Sequence, residues 1–218
     1  MKQHQGIWLP DQEQHMIEWM NKSGEIVDGR GTYQIRKLRA ALEYVKDWRV
    51  AVDVGAHVGF WSMHLVKKFE SVHAFEPVEA HRDCFYKNMA GSNNWELEPV
   101  ALGDKEGMVS LVTPHGSSGG THINGTGDIE MVPLDDYDFI NLDFLKVDCE
   151  GYELKVLQGA VETLKRCKPC VIVEQKSHTT GGRKHLPVGG KPAVDFLKSI
   201  GYTLRREMGG DYIMTFGD

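Results

Sequence analysis

A short apolar strand that runs directly into a glycine turn most constrains how this chain can fold. Residues 50–54 are apolar apart from Asp53, and they are followed by Gly55 and Gly59. A helical stretch then begins near Phe60. Glycine at the end of a strand lets a ligand approach bare backbone, because no Cβ stands in the way. Open α/β sheets bind ligands outside the carboxyl ends of their strands. The motif therefore predicts a ligand site at this edge of a parallel sheet.

A second strand, one βα unit later, carries a carboxylate at the matching place. The apolar stretch 72–75 is followed by Glu76 and Pro77. A carboxylate at this position can accept hydrogen bonds from ribose hydroxyls, as it does in dinucleotide-binding sheets. The glycine turn and Glu76 together predict a nucleoside-containing cofactor that lies across the sheet edge.

The spacing of the glycines distinguishes between nucleoside cofactors. A G-x-G-x-x-G fingerprint holds a pyrophosphate through backbone amides and a helix N-terminus. Here His57 stands in place of the second glycine. A turn that lacks this phosphate cradle, but has Asp53 beside it, suits S-adenosylmethionine, which has a cationic amino acid tail and no phosphate. A nicotinamide-dependent oxidoreductase and a non-catalytic cofactor-binding module remain the alternatives.

The bulk composition limits the class of protein. A chain of 218 residues fits one domain, which we divide into an N-terminal helical extension (1–48) and a catalytic core (49–218). A net charge of −6 argues against a nucleic-acid partner, which normally requires a basic surface. No apolar run approaches the roughly 20 residues of a membrane span, and no secretory signal opens the chain. We expect a soluble, cytoplasmic protein without a membrane partner, and a homo-oligomer stays open.

Strands and helices alternate along most of the chain, which predicts βαβ units. The expected fold class is α/β, a Rossmann-like three-layer sandwich. Its seven-stranded, mostly parallel sheet ends in an antiparallel C-terminal strand pair, and helices precede it at the N-terminus. The predicted strands are 50–54, 71–75, 95–101, 143–148, 170–175, 202–206 and 211–216. The predicted helices are 11–21, 33–47, 60–69, 78–90, 152–165 and 191–200.

Two glycine-rich stretches, 113–128 and 176–192, interrupt this alternation. Loops of this length in a compact domain are typically binding loops or disordered segments. The second loop has four basic residues and no acid (Lys176, Arg183, Lys184 and Lys191). A local basic cluster in an acidic protein favours an anionic acceptor, although a solvated loop explains the same residues.

The stretch that follows residue 143 places acids at the tip of the next strand. Asp148 ends this strand, and Glu174 ends the neighbouring one. Glu150 lies near the start of the following helix, where the helix dipole favours a negative charge, so helix capping also explains this residue.

With these motifs the chain resembles the FkbM family of S-adenosylmethionine-dependent methyltransferases, which have a class I fold. The similarity covers roughly residues 50–175. Two positions depart from the family pattern: His57 stands where Asn is more usual, and Cys149 replaces an aliphatic residue. The loop 118–121 (SGGT) is similar to a family loop that borders the reaction centre. The motifs that carry the resemblance are 53–59 (DVGAHVG), 75–77 (FEP), 100–107 (VALGDKEG), 134–137 (LDDY) and 146–153 (KVDCEGYE).

The residue patterns and the resemblance together indicate the cofactor site. The third motif implies that the residues at its start lie near the adenine. The expected cofactor contacts are Asp53, Gly55, Ala56, His57, Gly59, Phe75, Glu76, Pro77, Ala101, Leu102 and Asp148.

The expected reaction is methyl transfer to a hydroxyl group on a small molecule or carbohydrate. A hydroxyl is a weak nucleophile at neutral pH, so its methylation benefits from a base within hydrogen-bond reach. Asp148 is the first candidate for this base or for orienting the acceptor, and Glu174 is the second; His122 could orient the acceptor or serve as the base. A divalent cation bound by Asp148 and Glu174 is the less favoured alternative, because the sequence shows no obvious third ligand. Methylation of a nucleobase nitrogen is disfavoured, since no Asn/Asp-Pro-Pro-Tyr motif follows this strand.

Overall fold

The computed structural model describes residues 1–175 and 190–217. Most of the predicted loop 176–192, with Lys176, Arg183 and Lys184, therefore lies outside the described residues. The strands are β1 Lys2–His4, β2 Ile7–Leu9, β3 Ile26–Val27, β4 Arg30–Gly31, β5 Val50–Val54, β6 Ser71–Phe75, β7 Trp95–Glu98, β8 Ala101–Leu102, β9 Gly107–Val109, β10 Leu111–Val112, β11 His122–Ile123, β12 Ile129–Val132, β13 Leu142–Val147, β14 Cys170–Glu174, β15 Tyr202–Met208 and β16 Asp211–Phe216. The α-helices are α1 His15–Ser23, α2 Ile35–Leu42, α3 Ser62–Leu65, α4 Glu79–Asn88, α5 Glu153–Gln158, α6 Val161–Cys167 and α7 Pro192–Ser199, and 3-10 turns cover Ser118–Gly120 and Leu134–Tyr137.

A seven-stranded sheet forms the middle of the molecule, in the order β15-β16-β14-β13-β5-β6-β7. The strands from β14 to β7 run parallel, whereas β16 pairs antiparallel with both β14 and β15. The predicted fold class, including the antiparallel C-terminal pair, is confirmed. Apolar runs form β5, β13 and β14 because a central parallel strand is covered on both faces.

Helices cover both faces of this sheet, which makes three layers. Alternate strand residues such as Ala51 and Phe144 pack with α1 to α4 on one face. Their neighbours Val52 and Leu145 pack with α5 to α7 on the other face. The period-two alternation of side chains along a strand produces this division.

The N-terminal extension differs from the helical segment that we expected. Its helices, α1 and α2, are shorter than predicted, and two antiparallel hairpins accompany them, β1–β2 and β3–β4. Asp28 and Gly29 have φ values of 51° and 77°, the left-handed conformation that a tight hairpin turn requires. An Asp-Gly pair is a strong signal for a two-residue hairpin turn, and the sequence prediction overlooked it.

Several core elements are also interrupted. The predicted strand 95–101 divides into β7, in the main sheet, and β8, in a small sheet with β12 and β9. Pro99 lies between them and has no N–H to donate to a ladder. The predicted helix 152–165 divides at Gly159, where a Cβ would lie 1.9 Å from the carbonyl oxygen of Gly103. After the break at Pro99, the chain leaves the main sheet, and β8 joins the small sheet.

Candidate active site

One cavity lies at the carboxyl edge of the central strands, as the topology predicts. All the residues named as cofactor contacts or catalytic candidates line it, except Gly59. Gly59 has a φ of 90°, and a Cβ there would come within 3.0 Å of the Phe85 ring, so this glycine serves helix packing. The site residues that line the cavity are Asp53, Gly55, Ala56, His57, Phe75, Glu76, Pro77, Ala101, Leu102, His122, Asp148 and Glu174.

The glycine turn, residues 55–59, contacts the ends of β6 and β13, the two strands that neighbour β5. The backbone N–H groups of Gly55 and Ala56 both donate to the carbonyl oxygen of Phe75, at 3.1 Å. On the other side, a Cβ at Gly55 would lie 2.0 Å from the carbonyl oxygen of Asp148. Glycine is required at 55 because the end of β13 passes so close, and because its φ is 73°.

The carboxylate of Asp53 is engaged by the protein itself. Asp53 is fully buried; the Ser62 hydroxyl donates to it at 2.7 Å, and Lys146 Nζ lies 3.0 Å from its other oxygen. Lys146 also donates to the carbonyl oxygen of Gly55, at 2.9 Å. The expected contact between Asp53 and a cofactor ammonium stays a prediction, and the partners in the structure give Asp53 a role in fixing the turn.

Lys146 is a site residue that sequence reasoning missed. Burial opposes its charged form, but Asp53 and Asp148 outweigh that effect and raise the pKa of Lys146 above its ordinary value. The ammonium therefore stays charged beneath the glycine turn. A signal was present in the sequence: Lys146 is the one basic residue in the otherwise largely apolar strand β13, and a lysine in a buried strand needs a partner.

Glu76 lies at the tip of β6 and is also held by protein donors. Its Oε2 accepts the backbone N–H of His57 at 2.8 Å. Its Oε1 accepts the backbone N–H of Val78 at 2.9 Å and lies 3.1 Å from Nδ1 of His81. A carboxylate can accept about four hydrogen bonds, so Oε2 keeps capacity for a hydroxyl donor. The predicted ribose contact of Glu76 stays a prediction, and His81 is a partner that the sequence did not reveal.

His57 adopts a left-handed backbone conformation, with a φ of 52°, that turns its ring into the cavity wall. Nε2 of the ring lies 2.7 Å from the Ser118 hydroxyl. Burial, together with the neighbouring His81 and Lys146, lowers the pKa of His57 well below its ordinary value. The imidazole is therefore neutral at physiological pH.

Three acids meet at the tips of β13 and β14, and we call Asp148, Glu150 and Glu174 the acid cluster. One carboxylate oxygen from each lies within 4.8 Å of the others, a spacing that can hold a metal ion. The sequence placed Asp148 and Glu150 at one strand tip and Glu174 at the next, with helix capping as the alternative for Glu150, and it indicated only Asp148 and Glu174 as possible metal ligands. The structure thus supplies the third oxygen ligand that the sequence did not show.

A buried glutamate supports the loop that carries the acid cluster. Oε1 of Glu153 accepts the backbone N–H groups of Cys149 and Gly151, at 3.1 and 2.9 Å. Burial raises the pKa of Glu153 from 4.5 to about 7, against the effect of these donors. Glu153 is the last residue of the motif 146–153, but nothing in the sequence showed that its side chain accepts hydrogen bonds from this loop.

The remaining walls of the cavity are aromatic and apolar. Tyr33 comes from the N-terminal extension, and its ring lies 5.5 Å from that of Phe60. Trp61 also lines the cavity. His122, in β11, lines the cavity as well, and its Nδ1 lies 3.0 Å from the carbonyl oxygen of Gly120. The extension thus contributes directly to the cavity.

The fold is that of a class I methyltransferase-like α/β protein, with a cavity at the strand tips. The family profile described as the methyltransferase FkbM domain matches residues 53–204, about two thirds of the chain. The chain therefore belongs to the FkbM methyltransferase family. A comparison with curated protein sequences finds no match.

Solved structures share this fold at low sequence identity. The methyltransferase FkbM of Methylobacillus flagellatus KT is 20% identical with a TM-score of 0.54; the match covers 80% of this chain but only 45% of that protein. A precorrin-6y C5,15-methyltransferase of Geobacter metallireducens GS-15 is 13% identical with a TM-score of 0.50, over 96% and 97% of the two chains. The Streptococcus mutans protein SMU.1697c, solved in complex with SAH, is 14% identical with a TM-score of 0.50, over 84% and 97%. Across residues 1–175 and 190–217 of this chain, no helix has both the length and the apolar character for crossing a bilayer.

Proposed function

We propose that this protein is an S-adenosylmethionine-dependent methyltransferase that methylates a hydroxyl group of a small molecule or carbohydrate. The observation that carries the proposal is that the acid cluster lines the same cavity as the glycine turn and Glu76. The candidate base and the expected nucleoside contacts therefore share one cavity.

The residues that would hold the cofactor are distributed around the strand tips. Glu76 would accept from the ribose, and Ala101 and Leu102 of β8 offer an apolar surface for the adenine. His57 and the turn backbone would contact the remainder. When bound, the cofactor supplies an electrophilic methyl group on a sulfonium.

The acceptor side supplies a base and a flat apolar wall. Asp148 would accept the proton of the acceptor hydroxyl, and the methyl group that replaces this proton would come from the cofactor. Glu174, with its side chain 3% exposed, would orient the acceptor from the neighbouring strand. Tyr33 and Trp61 offer aromatic faces on which the apolar face of a sugar can pack. This combination of carboxylates and aromatic rings favours a polyhydroxylated acceptor. Recognition of an anionic group on that acceptor would depend on the basic residues of the loop 176–192.

Calorimetric titration tests the cofactor class. S-adenosylhomocysteine should bind with micromolar or better affinity, and NAD should give no measurable heat. The reverse result would favour the oxidoreductase. Failure of both ligands would favour a module without a cofactor. Transfer of a heavy methyl label from the cofactor to hydroxylated metabolites, followed by mass spectrometry, then identifies the acceptor.

The acid cluster leaves two routes to an activated hydroxyl. In one route, Asp148 acts as a general base without metal. In the other, a divalent cation bound by the three carboxylates polarises the hydroxyl. Once the acceptor is identified, turnover that persists in the presence of EDTA supports the general-base route. Turnover that is lost and then restored by Mg²⁺ or Mn²⁺ supports the cation.

A further inference from the structure

A glutamate outside the matched family domain is buried against the cavity. Glu13 precedes α1 and is 1% exposed. Its Oε1 accepts the backbone N–H of Met16 at 2.7 Å, at the start of the helix. Its Oε2 accepts both the backbone N–H of Ser118, at 2.7 Å, and the Ser118 hydroxyl. One carboxylate thus joins the N-terminal segment to the loop that borders the cavity.

The backbone strengthens this connection. The N–H groups of Gln14 and His15 both donate to the carbonyl oxygen of Gly116, at 3.1 Å. A Cβ at Gly119 would lie 2.4 Å from the terminal carbon of Met16, so the loop lies directly on the segment. Met16, Ser118 and Gly119 all line the cavity.

The protons in this chain of hydrogen bonds can be assigned. Both oxygens of Glu13 accept a backbone N–H, so the group acts as a carboxylate, which is an acceptor only. The single hydroxyl proton of Ser118 therefore goes to Glu13. The Ser118 oxygen can then only accept a hydrogen bond from the His57 ring. Nε2 of His57, 2.7 Å away, must therefore carry the proton of the imidazole.

The other ring nitrogen of His57 then has a free lone pair. Because the imidazole is neutral, Nδ1 carries no proton. Among the residues that the structure describes, Nδ1 is one of five buried side-chain polar atoms without a hydrogen-bond partner. His57 also donates its backbone N–H to Glu76, so the same residue connects the loop to the predicted ribose carboxylate.

We propose that Glu13 is a positioning residue of the cofactor site: through Ser118 it holds His57 as the Nε2–H tautomer and keeps Nδ1 as an acceptor for a hydroxyl or ammonium group of the cofactor. This inference rests on the proposed function, since it concerns the same cavity. It makes the N-terminal segment part of the cofactor site, although the family profile begins at residue 53.

Glu13→Gln tests the proposal, because the introduced amide has one acceptor oxygen where three donors converge. We expect the affinity for S-adenosylhomocysteine, measured by calorimetry, to fall by about tenfold or more. The control is Glu18→Gln, the same change at an exposed position on α1. It should bind like the wild type.

The second readout is the tautomer of His57 in the free protein. Long-range ¹H–¹⁵N spectra of histidine-labelled protein, assigned with a His57→Asn variant, should show one tautomer in the wild type and a mixture in Glu13→Gln. A purely structural role of Glu13 would lower the stability without changing this equilibrium. Unchanged affinity or an unchanged tautomer in the variant overturns the proposal.

Ser118→Ala tests the same chain of hydrogen bonds if the Glu13→Gln variant does not fold. It removes the hydroxyl and leaves the two backbone hydrogen bonds to Glu13 in place. We expect the same loss of affinity and the same mixture of tautomers, and wild-type values for both would refute the proposed chain. If the wild-type protein binds no S-adenosylhomocysteine, the proposed function itself fails, which is a different result.

Discussion

Two groups of acids lie at the same edge of the sheet, and the protein treats them differently. On the glycine-turn side, Asp53 is paired with Lys146 and Ser62, and Glu76 is paired with backbone N–H groups and His81. In the acid cluster, three carboxylate oxygens come within 4.8 Å of one another. Like charges at such distances repel, which a proton or a cation relieves.

The difference indicates separate tasks for the two groups. A carboxylate with fixed donors keeps its position and its charge, which suits the shaping of a cofactor site. Carboxylate oxygens that lie this close together can hold a cation between them, which suits the activation of an acceptor. We therefore expect changes to Asp53, Glu76 and their partners to alter binding or stability, and changes to the acid cluster to alter turnover.

The largest expected effect is that of Asp148→Asn. The amide cannot take the acceptor proton, so turnover should fall by about 10²–10⁴-fold, the usual contribution of a general base. Although Asp148 is an expected cofactor contact, the affinity for S-adenosylhomocysteine should stay within about threefold of the wild type, because the amide keeps the size of the side chain and one acceptor oxygen. The control is Asp128→Asn, at an exposed position in the loop before β12. Normal turnover by Asp148→Asn would remove the distinction between the two groups of acids.

Lys146→Met should have the next largest effect, on stability. It leaves the buried Asp53 without its cation, which typically costs about 3–5 kcal/mol. Urea unfolding measures this loss, and Lys165→Met, an exposed change on α6, should stay within about 0.5 kcal/mol of the wild type. The double variant with Asp53→Asn should recover part of the stability. Strict additivity of the two changes would show that the pair is not coupled.

Glu153→Gln should change how stability depends on pH. The native protein keeps the Glu153 proton up to a pKa of about 7, whereas the unfolded chain releases it near 4.5. The free energy of unfolding should therefore fall as the pH rises through this window, by up to ~3 kcal/mol. The variant stays neutral and should lose this slope, so that it is more stable than the wild type at pH 8. Parallel pH profiles of the two proteins would contradict the raised pKa.

Glu76→Gln should have the smallest effect of the four, and we expect to detect it in the affinity for the cofactor. With one accepting oxygen, the amide cannot serve the His57 N–H, Val78 N–H and a ribose hydroxyl together, so the affinity for S-adenosylhomocysteine should fall by more than about tenfold. Glu79→Gln, an exposed change in the first turn of α4, is the matched control. Unchanged affinity would mean that Glu76 only organises the turn.

The features that were predicted correctly share a local cause. Alternation of apolar side chains showed the strands, and the residues at the strand ends showed which acids meet at the edge of the sheet. The hairpin at Asp28-Gly29 and the break at Pro99 also have local signals, which the prediction did not use. Glu150 shows the opposite case: its sequence position also suits a helix cap, and only the folded chain shows that one of its carboxylate oxygens lies within 4.8 Å of oxygens of Asp148 and Glu174.

The sequence by itself determined the doubly wound sheet, the family, and a cluster of glycines and acids at one edge, because periodicity and strand-end chemistry act over a few neighbouring residues. The tertiary structure alone decided which groups neutralise one another. Lys146 reaches Asp53 across 93 residues of chain, and Glu13 reaches Ser118 across 105. A buried charge takes whichever partner the folded chain brings within about 3 Å, and no local pattern encodes that distance.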